Sequence, residues 1–68
     1  MDRRQIEFQI RAVLVPFRVE ERRRDPVTME RFRARALSIL DQLEEPARPY
    51  PDLVEMLARA RTEIAEGS

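Results

Sequence analysis

The chain contains no cysteine and no histidine, and its single glycine, Gly67, is the penultimate residue. Each absence removes a class of chemistry. Without cysteine there is no disulfide, and without either residue there is no zinc staple of the usual ligand set. Thiolate catalysis and a serine–histidine–aspartate arrangement fall for the same reason. A phosphate-cradling loop needs glycines that the chain lacks before its tail. The only serines are Ser38 and Ser68. The acid pairs Glu20/Glu21 and Glu44/Glu45 occupy adjacent positions, which on a helix point about 100° apart and do not converge. No Asp-x-Asp cluster argues for magnesium. The sequence therefore predicts a protein that is not an enzyme and uses no cofactor and no metal.

Long apolar runs are absent as well. The longest stretch, Ala12–Phe17, is interrupted by Pro16. A secretory signal needs about 7–15 unbroken apolar residues, and a membrane span needs roughly 20. The expectation is a cytoplasmic protein with no membrane segment. Lysine and asparagine are also missing, so every one of the 13 basic residues is arginine. A GC-rich coding background, bacterial or phage, produces that bias without selecting each arginine for binding.

With 68 residues the chain forms one domain at most, residues 1–68. A domain of this size buries only about 60% of its unfolded surface. Ordering it costs on the order of 100 kcal/mol at roughly 1.5 per residue, so either the core is rich or a partner contributes.

The apolar spacing predicts a small all-α domain of three helices. Helix 2 is expected over about 27–45. Asp25-Pro26-Val27-Thr28 reads as its start, with Asp25 or Thr28 as the cap. Phe32, Ala36, Ile39, Leu40 and Leu43 form its stripe, flanked by Met29 and Leu37. Pro46 is expected to end it, because the residue before proline is pushed out of the α region. Residues 46–51 read as a proline-rich connector with an extended path. Helix 3 is expected over about 52–66. Asp52 and Glu55 are spaced as a capping box, and Leu53, Leu57, Ala60 and Ile64 share a stripe. Arg59 and Glu63 are spaced as an i, i+4 pair.

The first element supports two readings. Ile6, Ile10, Val13, Leu14 and Phe17 fit a helical stripe, giving a helix over about 3–23 that Pro16 kinks. Glu20 and Glu21 are spaced to pair with Arg24 along it. Ile6-Glu7-Phe8-Gln9-Ile10-Arg11 also alternates as a strand does, and a strand over 5–15 would pair between subunits. In the helical reading Phe8, Ala12, Val15 and Val19 form a second apolar face. One stripe suffices for a three-helix core, so this face is a candidate partner interface.

Charge is divided along the chain. Residues 1–35 hold ten arginines against six acids, a net +4, and residues 36–68 hold three against seven, a net −4. Arg22, Arg23 and Arg24, with Arg31, Arg33 and Arg35 beyond the turn, are spaced to gather at one end of a helical hairpin. Of these, Arg22, Arg23, Arg24, Arg31 and Arg35 are candidate anion-binding residues, since arginine makes bidentate contacts to phosphate and carboxylate. Against this stands the return of acids on helix 3 toward the basic end, which would pair the charges internally or between subunits.

Two functional expectations follow. The first is a helical protein–protein interaction module, an accessory subunit, adaptor or regulator, which forms a homo-oligomer or docks its apolar face on a larger complex. The second arises from the strand reading. The order of strand, short helix, turn and helix over residues 5–45 resembles the ribbon–helix–helix repressors. That resemblance implies a dimeric DNA-binding regulator, with Glu7, Gln9 and Arg11 facing the major groove and Thr28 near the phosphates. The chain departs from the pattern in the acidic Glu7, the short first helix Phe17–Arg24 and a turn without glycine. Its zero net charge also opposes general nucleic-acid binding, which phosphate contacts dominate.

Overall fold

A computed structural model describes residues 1–23 and 25–66, with all their side chains except those of Glu20, Glu21 and Arg23. Three helices account for nearly all of this: α1 (Arg3–Arg23), α2 (Pro26–Ala47) and α3 (Pro51–Glu66). No strand occurs among the described residues. Residues 5–15 lie within α1, which overturns the inter-subunit strand and the ribbon–helix–helix reading built on it. The physical reason is local. As a helix, this segment satisfies its backbone groups internally and still buries Ile6, Ile10, Val13 and Phe17 against its neighbours. As a strand it would need a second molecule.

Each helix supplies one stripe to a single core. From α1 come Ile6, Ile10, Val13 and Phe17, and from α3 Leu53, Leu57, Ala60 and Ile64. Both sets follow the same i, i+4, i+7, i+11 spacing. Met29, Ala36, Leu40, Leu43 and Ala47 of α2 complete it. No polar or charged residue is buried among the described residues. The centre of the α2 stripe differs from the sequence expectation, since Met29 is buried while Phe32 and Ile39 remain half-exposed.

The bounds of α1 follow the expectation of one helix over about 3–23, whereas the expected stop of α2 at Pro46 changes. Helix α1 continues through Pro16, and α2 continues through Pro46 to Ala47. Each proline removes one hydrogen bond to the carbonyl four residues earlier, that of Ala12 or Gln42, and both of those residues are exposed. Continuing the helix past Pro16 buries Phe17, and continuing past Pro46 buries Ala47. The expected connector over 46–51 is therefore reduced to Arg48–Tyr50, and it is a tight turn. Arg48 is in the right-handed helical region, and Tyr50 N–H donates to the Ala47 carbonyl at 2.9 Å.

The caps are made by aspartates. Asp25, with extended φ and ψ of −87° and 108°, is the cap of α2. Its carboxylate accepts from Val27 N–H at 3.2 Å and from the Thr28 hydroxyl at 2.8 Å, so Thr28 supports the cap rather than forming it. Asp2 caps α1 in a reciprocal box: Gln5 N–H donates to Asp2 Oδ1 at 2.9 Å, and Asp2 N–H donates to Gln5 Oε1 at 3.1 Å. The expected box at α3 does not form. Pro51 opens that helix, Asp52 lies inside its first turn and pairs with Arg3, and Glu55 pairs with Arg59 at 2.7 Å.

Candidate interaction surface

On a helix of 3.6 residues per turn, Phe8, Ala12, Val15 and Val19 fall opposite the buried stripe of α1. All four are exposed: Phe8 is 71%, Val15 60% and Val19 47% accessible. Helices α2 and α3 cover only the inner stripe. The face singled out from the sequence is thus left open by α2 and α3.

The open face continues into two shallow concavities. One lies between α1 and α2, with Ala12, Pro16, Phe32 and Ile39 as its apolar lining and Arg35 at its rim. The other lies at the start of α1, around Met1, Phe8 and Arg4. Gln9 lines both, so they adjoin. Phe32, Ile39 and Arg35 follow one another around α2 at spacings of three and four residues. That spacing was readable, but the same period also describes a buried stripe, and only packing distinguishes the two.

Of the candidate anion-binding arginines, three have described side chains. Arg22, Arg31 and Arg35 are exposed. Arg33 is half-buried and serves structure, donating from Nε to the Ile64 carbonyl at 3.1 Å. The Arg23 side chain, Arg24 and the expected pairs of Glu20 and Glu21 with Arg24 lie outside the described residues.

Elsewhere charges tie helices together. Arg3 makes a two-pronged contact with Asp52, its Nη1 at 2.8 Å from Oδ1, and stands over the Tyr50 ring at 6.0 Å. Arg18 grips Glu63 in the same way at 2.8 and 2.9 Å, so the expected pairing of Glu63 with Arg59 along α3 gives way to a contact between helices. Nη2 of Arg61 stands 2.6 Å from Asp41 Oδ1 and 2.7 Å from Glu44 Oε1. It is buried without a well-directed hydrogen bond, so attraction of charge holds these contacts.

These pairings also define what the carboxylates can do. The hydrogen bonds from Arg3, Thr28 and Arg18 hold the carboxyls of Asp52, Asp25 and Glu63, respectively, below the usual carboxylate range. Groups so held stay ionised at neutral pH, which suits ion pairing and capping and is opposite to the raised pKa of a general acid. Among the described residues no group of three or more histidines, cysteines or acids converges as a metal site, and no helix is long and apolar enough to cross a membrane. No family model matches the chain, and neither a curated protein nor a solved structure matches it.

Proposed function

We propose that this chain is a cytoplasmic, non-enzymatic helical interaction module, an accessory subunit, adaptor or regulator, that docks the outer face of α1 on another protein surface. The observation that carries the reading is the exposure of Phe8, Val15 and Val19 on one helix face, continuous with the groove against α2. Fully burying a side chain of this kind gains about 1.5–3 kcal/mol, and contiguous apolar surface on a small protein marks an interaction site. The core is complete without these residues, so folding of the monomer does not account for them.

Site-specific photo-crosslinking in the native host tests the reading. A crosslinker at Val15 should give discrete protein adducts, whereas one at exposed Ser38 on α2 should not. Adducts at neither position, or equally at both, would refute the docking role of α1.

A further inference from the structure

Resting on that reading, we propose that the open face of α1 and its groove against α2 receive an amphipathic helix with acidic flanks from a different protein. The apolar part is Phe8, Ala12, Val15 and Val19, extended by Phe32 and Ile39. Arginines border it on α1 at helical-neighbour spacing: Arg4 is four residues before Phe8, Arg11 is three after it, and Arg22 is three after Val19. Arg35 borders the groove from α2.

Three of these four arginines carry charge that no described side chain pairs. Arg4, Arg22 and Arg35 have no ion-pair partner among the described residues. Among the described side chains of the first helix, Glu7 pairs with Arg11 at 2.8 Å, and the Asp2 carboxylate accepts from Gln5 N–H. An occupant therefore needs an apolar stripe together with carboxylates at its edges, where arginine forms bidentate contacts.

A second copy of the chain fits less well. Antiparallel pairing that sets Phe8 against Val19 and Ala12 against Val15 brings Arg4 of one copy beside Arg22 of the other. Parallel pairing sets Arg4, Arg11 and Arg22 each beside its own copy. Either register brings the unpaired Arg4 and Arg22 close to like charge at the ends of the seam, which opposes self-association. The stretch from Met1 to Val19 matches a helix of about 18 residues at 1.5 Å per residue.

A display library of 18-residue helical peptides, with a fixed leucine stripe and flanks randomised among Glu, Gln and Lys, tests this against the whole chain. Selection should enrich Glu at the flanks. A selected peptide should bind wild type at least tenfold more tightly than its Glu-to-Lys counterpart by fluorescence anisotropy. An R4E/R35E variant should invert that preference, and V15E should abolish binding of both. Circular dichroism of the variants confirms that the helices persist. Enrichment of Lys or Gln, no enrichment, tighter binding to duplex DNA or to anionic vesicles than to the selected peptide, or a stable homodimer in sedimentation would each overturn the inference. The homodimer outcome leaves the interaction-module reading intact. Loss of both peptide selection and Val15 crosslinking removes the two together.

Discussion

Arg18 of α1 closes a two-pronged contact on Glu63 of α3, with Nε and Nη2 at 2.8 and 2.9 Å from the two carboxylate oxygens. With Arg3 on Asp52 near the other end of the same two helices, it bridges α1 and α3, which run side by side in parallel. The antiparallel α2 stands between them in sequence. Both partners of the Arg18–Glu63 pair remain accessible, so solvent screening limits its strength. A double-mutant cycle with Arg18→Ala and Glu63→Ala should give a coupling of less than about 1 kcal/mol in urea denaturation. A larger coupling would show that the pair organises the packing beneath it.

Acid should destabilise the fold through the same contacts. Asp25, Asp52 and Glu63 have carboxyls held below the usual range by their hydrogen-bonded partners. A carboxyl whose folded pKa is depressed contributes its stability above the unfolded value, near pH 4, and loses it as pH falls through the folded value. Urea midpoints should therefore be flat from pH 7 to about 5 and fall progressively below about pH 4. Glu63→Gln should lower the midpoint at pH 7 and flatten the fall. An unchanged acid slope in that variant would assign the pH dependence to the other carboxyls.

The α3 stripe is legible in the sequence because its period fits one helix face without a competing reading: Leu53, Leu57, Ala60 and Ile64 are all buried. The outer face of α1 is legible because a core of three helices needs one stripe from each. The end of α2, the start of α3 and the ion pairs between helices are not. Pro46 reads locally as a stop, yet burial of Ala47 one residue later outweighs it. Asp52 reads locally as a cap, yet Arg3, distant in sequence, competes for its carboxylate. Glu63 has Arg59 four residues away and takes Arg18 from another helix instead. In each case a long-range contact overrides a sound local preference.

Two phenylalanines on one helix should behave oppositely. Phe17 is fully buried and Phe8 is 71% exposed. Phe17→Ala removes a core side chain, a loss of about 3–5 kcal/mol that takes a large share of the stability a domain of this size has. Phe8→Ala should change stability by no more than about 0.5 kcal/mol, as surface substitutions do. Thermal melts followed at 222 nm distinguish them. A Phe8 variant that melts far below wild type would move this residue into the structural core.

The cap at Asp25 carries a chemical prediction. Its carboxylate accepts from both Val27 N–H and the Thr28 hydroxyl. Asp25→Ala leaves those donors to solvent and should lower the melting temperature, while Asp25→Asn or Asp25→Ser, which keep an acceptor, should retain most of it. The Asn variant should also lose the part of the acid sensitivity that arises from ionisation of this side chain. Equal losses in Ala and Asn would assign the effect to charge near the helix start rather than to the hydrogen bonds.

Pro16 offers the converse test, in which removing a residue strengthens the fold. It lies inside α1, exposed, with no N–H to give to the Ala12 carbonyl. A proline within a helix costs about 3 kcal/mol, partly offset by about 0.4–1 kcal/mol because its ring also restricts the unfolded chain. Pro16→Ala should therefore raise stability by about 1–3 kcal/mol, seen as a higher urea midpoint with an unchanged slope. Pro16 also lines the groove beside Ala12, Phe32 and Ile39, so the same variant separates stability from recognition. If α1 gains stability while selected peptides bind less tightly, the ring contributes to the shape of the docking surface. If stability does not rise, the helix must already be bent around Pro16 in a way that alanine cannot improve.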